Sequence, residues 1–406
     1  QFIDRYFQCL TAEDLQSALE DAVGEVGDEI LAGNQMLQDL LVQVRRERFG
    51  KEMDRLNDEQ RAVCAAPFNR KLLVNAGPGS GKTHVLMMRC AHLIHAQNIR
   101  PSEILVLAFN RAVVFEIRDR IRDLFRELGY GSHVRSLDVS TFHSFALRNQ
   151  PPSDMYEEDA IGEAVHRFAQ SVSTDTAFAR RIAGGYKAIL VDEFQDMNED
   201  FYDVVQALVT HCQDQGGAMV IGDDDQDILT WNRKKWRDQH RLDCPLEAVH
   251  YFDKYRQAFT PDLHALPLNY RSVPEIVSRA NGMIAKASER LHFTRMKAQT
   301  TLAAFRTENG AVTLPFDANA LGDILLESMS RQASDGKSES IAILCRSNRE
   351  CRKVHEQLSA LPHIHDEWLE ILGAEDFALY QLRPTGAMLD MCTRRDQWEF
   401  VEPYTW

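Results

Sequence analysis

The segment Gly77-Pro78-Gly79-Ser80-Gly81-Lys82-Thr83 constrains this chain most, because it fits G-x-x-x-x-G-K-[ST] between a strand-like run and a helix-like one. Leu72-Leu73-Val74-Asn75-Ala76 reads as a buried strand before it, and Val85 to Ala96 reads as a helix after it. Glycines let the backbone curl, so that its N–H groups and the helix N-terminus converge on phosphate oxygens. In that geometry Lys82 reaches the β- and γ-phosphates of ATP and the Thr83 hydroxyl ligates Mg2+.

Similar apolar runs recur at Ile104 to Phe109, Val139 to Phe142, Ala188 to Val191 and Ala218 to Gly222, each followed by a helical stretch. Such alternation predicts an α/β fold, a mostly parallel sheet with ligands at the carboxyl ends of its strands. Residues 1 to about 53 read as a helical extension, with a cap at Thr11-Ala12-Glu13-Asp14 and apolar residues at helical spacing from Leu15 to Val44. A second unit begins near Pro267, with a helix over Pro274 to Ala287, strands over Val312 to Phe316 and Ile341 to Cys345, and an exposed loop from Ser334 to Ser340.

At 406 residues and 44% hydrophobic, the chain has material for two or three globular domains. It offers no run of about twenty apolar residues to span a bilayer, and Gln1-Phe2-Ile3-Asp4-Arg5 lacks the layout of a secretory leader. Eight cysteines without a C-x-x-C pair suggest neither a zinc ribbon nor a disulfide framework. The expectation is a cytoplasmic protein that does not engage membranes. A net charge of −15 excludes a chain that is basic throughout, yet nucleic-acid binding depends on where positive side chains gather locally.

The second chemical element is Ile189-Leu190-Val191-Asp192-Glu193, a buried strand ending in adjacent carboxylates. Side chains alternate along a strand, so only its end presents both acids to solvent and metal. Asp192 is expected to hold Mg2+ and Glu193 to orient and deprotonate the attacking water.

These acids continue as Asp192-Glu193-Phe194-Gln195-Asp196, which resembles the DE-[FY]-QD signature of UvrD-like superfamily 1 DNA helicases. Leu56-Asn57-Asp58-Glu59-Gln60-Arg61 resembles the element preceding that family's phosphate loop, and the resemblance gives Gln60 the adenine edge. Ser140-Thr141-Phe142-His143-Ser144 resembles T-F-H-[SGA], beside the family's DNA track. Val220 to Ile228, through Asp223-Asp224-Asp225-Gln226-Asp227, resembles the element whose glutamine senses the γ-phosphate, making Gln226 the sensor; Trp231 stands where the family stacks a tryptophan on a single-stranded base. Leu268-Asn269-Tyr270-Arg271-Ser272 matches N-Y-R-S, which implies that Tyr270 stacks on adenine and Arg271 is an arginine finger. Ala108-Phe109-Asn110-Arg111-Ala112 is close to F-T-N-K-A, which puts Phe109 and Asn110 on the DNA. Ile341 to Asn348 resembles a later strand of the second motor domain.

The matches span about residues 56 to 350. They imply a first RecA-like domain over 54–266 with a small helical insertion at about 145–186, and a second, partial one over 267–406. Departures are His84 for an adenine-side Arg, Trp231-Asn232-Arg233 for W-R-G, and no recognisable late motif after Asn348, so the second motor domain reads as incomplete. The implied activity is ATP-driven 3′-5′ translocation on single-stranded DNA or a partial duplex, in DNA repair, recombination or defence. A protein partner in a repair or defence complex stays open, as does the alternative of a nucleotide-switched regulatory or DNA-binding module that does not unwind.

Overall fold

The computed structural model of the chain describes residues 35–128, 136–150, 160–226, 233–234, 236–238, 248–291, 303–304 and 348–362. Trp231, the early cap at Thr11 and the strands expected over 312–316 and 341–345 lie outside these residues. Two compact units divide the chain, Gln1–Gly310 and Ala311–Trp406. In the second, the described element is a helix, Asn348–Ser359.

The first unit is built on a parallel sheet of six strands: β1 (Lys71–Ala76), β2 (Ile104–Ala108), β3 (Asp138–Thr141), β4 (Ala188–Val191), β5 (Gly217–Gly222) and β6 (Asp262–Leu266). Their order across the sheet is β3-β2-β4-β5-β1-β6. Strands β2, β4 and β5 are buried along their whole length, as covering of both faces requires of a parallel sheet. Two expected strands end one residue early: β2 stops at Ala108, because Asn110 already caps the next helix, and β3 stops at Thr141, because Phe142 begins one.

Helices α1 (Gln35–Asp54), α2 (Asp58–Ala65), α3 (Lys82–His95) and α4 (Arg111–Glu127) cover one face. Alternate strand residues Leu72, Val74, Val106, Leu190 and Ile221 join that core. The intervening residues Leu73, Leu107, Ile189, Val191 and Val220 point to the other face. That face is closed by α5 (Phe142–Asn149), α6 (Ala160–Thr174), α7 (Thr176–Ala183), α8 (Glu199–His211) and α9 (Ala248–Phe259). None of the helices among the described residues is long and apolar enough to cross a membrane.

Helix starts are fixed locally. Asn110 accepts from the Val113 N–H, Thr141 from Ser144, Asp175 from Ala177 and Phe178, and Asn198 from Phe201, each cap satisfying a donor the helix leaves unpaired. After β6 the chain forms the two-residue strand β7 (Leu268–Asn269), which pairs in parallel with β8 (Ala303–Ala304), and then α10 (Pro274–Leu291). Position 267, where the sequence suggests a domain boundary, lies between β6 and β7, inside the first compact unit.

Candidate active site

β1 and β4 are separated in the sheet only by β5, so the loops after these three strands open at one carboxyl edge. The loop after β1 is Gly77 to Gly81, with α3 starting at Lys82. Gly79 and Gly81 have φ of 69° and 84°, a region that costs any residue with a Cβ. The Ser80 hydroxyl donates to the Gly77 carbonyl at 2.7 Å and braces the turn.

The Lys82 ammonium lies 3.8 Å from Glu193 Oε2. Glu193 sits in the left-handed region (φ 48°, ψ 51°), so the chain turns sharply as it leaves β4. Its amide donates to Asp192 Oδ1 at 2.9 Å. Asp192 is 1% exposed. Burial first, and the adjacent Glu193 carboxylate second, push Asp192 up to about 7, against the pull of the Glu193 amide and Lys82. Two neighbouring carboxylates face one lysine, a charge balance that suits a divalent cation. Asp192 and the Thr83 hydroxyl, on the first turn of α3, are the oxygens that would hold Mg2+ there.

Gln195, to which the sequence pattern assigns no role, ties the acid strand to the loop after β5. Its Nε2 donates to Glu193 Oε2 at 2.7 Å, and its Oε1 accepts the Asp223 amide at 2.9 Å. Asp223 Oδ2 in turn accepts from the Gln226 side chain at 2.6 Å. The sensor candidate Gln226 is thereby linked to Glu193 through Asp223 and Gln195. Asp223, Asp224 and Asp225 bring carboxylate oxygens within 4.8 Å of one another, which by itself defines no metal site.

The residues expected on the adenine side converge from opposite ends of the unit. Asn57 caps α2, and a reciprocal box with Gln60 (Gln60 N–H to Asn57 Oδ1, 2.7 Å; Asn57 N–H to Gln60 Oε1, 3.3 Å) fixes the glutamine amide. Gln60 Nε2 then donates to the Ser80 carbonyl at 3.1 Å. Asn57 Nδ2 donates to the Tyr270 hydroxyl at 2.8 Å. His84, half-buried beside them, is held below the usual imidazole range by burial. The Tyr270 amide donates to the Gly79 carbonyl at 2.8 Å, and a Cβ built on Gly79 would lie 2.8 Å from Arg271 Cβ. Arg271 therefore leaves the backbone directly over the phosphate loop, with its side chain exposed.

The residues proposed for DNA form a separate group. Phe109 and His143 both meet Phe201 edge-on, with centroids at 6.0 and 5.4 Å, while Phe142 stacks on Phe201 at 4.6 Å. Burial, then the nearby Arg111, lowers the His143 pKa and favours the neutral ring. Asn110 is committed to capping α4, where its Oδ1 accepts from the Val113 amide. Phe201 was not legible as a site residue, since at the third position of a capped helix it reads as ordinary core.

A phosphate-loop strand and an acid-bearing strand separated by one strand define a RecA-like P-loop NTPase domain. Over residues 56–149 and 156–237 the chain is similar to the UvrD/REP helicase N-terminal domain family. It is 25% identical to DNA helicase II of Haemophilus influenzae and 24% identical to ATP-dependent DNA helicase PcrA of Staphylococcus aureus, each match covering 75% of this chain and 50% or 49% of the relative. With ATP-dependent DNA helicase SRS2 of Saccharomyces cerevisiae it shares 38% identity over 96 residues, 24% of this chain and 8% of that protein. The chain spans about half the length of the two longer-matching relatives.

Proposed function

We propose that the chain is the ATP-hydrolysing motor part of a cytoplasmic DNA helicase or translocase that moves 3′ to 5′ on single-stranded DNA in repair, recombination or defence. The observation that carries this reading is the convergence, at one sheet edge, of Lys82, the Asp192–Glu193 pair, the Gln195–Asp223–Gln226 relay and the Tyr270-Arg271 segment. Names of the relatives, all ATP-dependent or DNA helicases, support the same reading.

In the proposed mechanism, Gln60 and Tyr270 take the adenine, and the amides of 77–83 take the phosphates. Mg2+ on Thr83 and Asp192 would neutralise charge building on the β- and γ-phosphates. Lys82, drawn from Glu193 to the phosphates, frees that carboxylate to align water and accept its proton. Arg271 stabilises the charge that develops in the transition state, which matters most in a reaction where the protein itself does little covalent chemistry. Gln226 and the Asp223–Gln195 link carry the state of the γ-phosphate to both strand ends. Phe109, His143 and Trp231 are the proposed DNA contacts, with Asn110 shaping the turn beside them. For the domains we propose a helical 1–53, a motor domain over 54–266 with its insertion at about 145–186, and a second motor portion from 267.

Steady-state ATP hydrolysis by the chain and by Glu193→Gln, each with and without single-stranded DNA, tests this. The expected result is DNA-stimulated turnover that Glu193→Gln abolishes while ATP binding persists. Turnover indifferent to DNA would favour the nucleotide-switched module instead, and no binding of ATP would sink the reading.

A further inference from the structure

We propose that Asn269 is a two-armed positioning residue that couples the shape of the phosphate loop to the direction of Arg271; the proposal rests on the ATPase reading above. Asn269 is 4% exposed, so its polar atoms must be satisfied inside the protein. Its donor arm, Nδ2, reaches across 191 positions of sequence to the Pro78 carbonyl at 2.7 Å. Its acceptor arm, Oδ1, receives the amides of Arg271 at 2.9 Å and Ser272 at 2.7 Å. Between the two arms, the Tyr270 amide donates to the Gly79 carbonyl at 2.8 Å.

The consequence is geometric. A phosphate loop works when its amides face the phosphates, which requires its carbonyls to face away. Asn269 and the Tyr270 amide hold two consecutive carbonyls, those of Pro78 and Gly79, on the outer side. The same side-chain amide locks the turn from which Arg271 departs. Gly79 lies so close that a Cβ there would meet Asn269 Nδ2 at 2.9 Å. A change in the loop on one side of the latch is therefore felt at the arginine on the other, without passing through any flexible side chain. Asparagine carries both a donor and an acceptor on one short planar group, which is what the two arms require.

The test uses the full chain, two Asn269 variants, Arg271→Ala and the double variant Asn269→Ala/Arg271→Ala. Amide hydrogen exchange without nucleotide reads the latch alone. Asn269→Ala is expected to expose the Tyr270, Arg271 and Ser272 amides while β1 and β4 stay protected; Asn269→Asp, which keeps the acceptor oxygen, is expected to leave Arg271 and Ser272 protected and to weaken Mg–ATP binding. In steady-state hydrolysis, Asn269→Ala should lower kcat roughly 10²-fold, the scale of a small misplacement of a reacting group, with a smaller change in KM. Adding Arg271→Ala to it should lower kcat no further than Arg271→Ala alone. Unchanged exchange, or losses in kcat that multiply, overturns the latch. Absence of hydrolysis by the unmodified chain would instead overturn the ATPase reading, with the exchange result still deciding whether the latch exists.

Discussion

Two backbone positions carry the site at the scale of single residues. Gly79 holds φ of 69° directly beneath Arg271, and Glu193 holds φ of 48° as the chain leaves β4. Glycine adopts this region freely, whereas glutamate does so at a cost that the surrounding hydrogen bonds must offset. Gly79→Ala is expected to destabilise the fold by ~1–2 kcal/mol, the cost of a Cβ in left-handed backbone, and to weaken Mg–ATP binding because the β7 turn must shift. Thermal unfolding paired with an ATP titration checks this; an alanine variant indistinguishable in both would show that the close approach of Arg271 is immaterial. The phosphate loop and the acid pair were readable from residue types alone, since each is a local pattern of a few consecutive positions. The relay was not. Gln195 lay inside a recognised signature, but nothing in the string says that its two amide ends join Glu193 to Asp223.

At the scale of elements, α1 packs on α3 through Phe49, whose ring meets His92 at 6.0 Å and His95 at 4.6 Å. Burial first, then the positive charge of Arg89 and that of His95, lowers His92 to about 4. Between pH 6.5 and about 4 the unfolded chain binds a proton on this residue that the folded chain does not. Its contribution to stability is therefore fully present above 6.5 and is lost as the pH falls toward 4. Because His92 keeps some contact with solvent, the expected loss is on the order of 1 kcal/mol. Replacing it with methionine should flatten the acid side of a stability-against-pH curve, and a slope unchanged by His92→Met would place the acid sensitivity elsewhere. Sequence patterning also stops at this scale. β1 to β5 declared themselves as apolar runs, but β6, Asp262-Leu263-His264-Ala265-Leu266, buries only Leu266 and, among the described residues, pairs with β1 alone, so it carries no such run. Its place in the sheet comes from parallel pairing with β1, helped by the Arg70–Asp262 ion pair at its start.

For the whole molecule, the balance of charge frames the proposed work on DNA. With a net charge of −15, long-range attraction does not gather nucleic acid to the chain, so the proposed DNA binding would rest on a local surface, for which Phe109, His143 and Arg111 are the candidates. The DNA concentration that half-stimulates ATP hydrolysis should therefore rise with salt, with a logarithmic slope of about 0.7 per phosphate contacted on a single strand. His143→Ala should raise that concentration while sparing hydrolysis without DNA. Stimulation independent of both salt and His143 would remove this surface from the DNA track.

By itself the sequence determined the α/β class, the five apolar strands of the sheet, the phosphate loop with Lys82 and Thr83, and the acid pair, because each follows from local backbone preference or short-period burial. Only the tertiary structure decided which distant groups meet: Asn57 with Tyr270 across 213 positions, Asn269 with Pro78 across 191, and Gln195 with Asp223 across 28. Those contacts are set by the strand order β3-β2-β4-β5-β1-β6, and a polar contact between remote residues leaves no periodic trace in the chain that makes it.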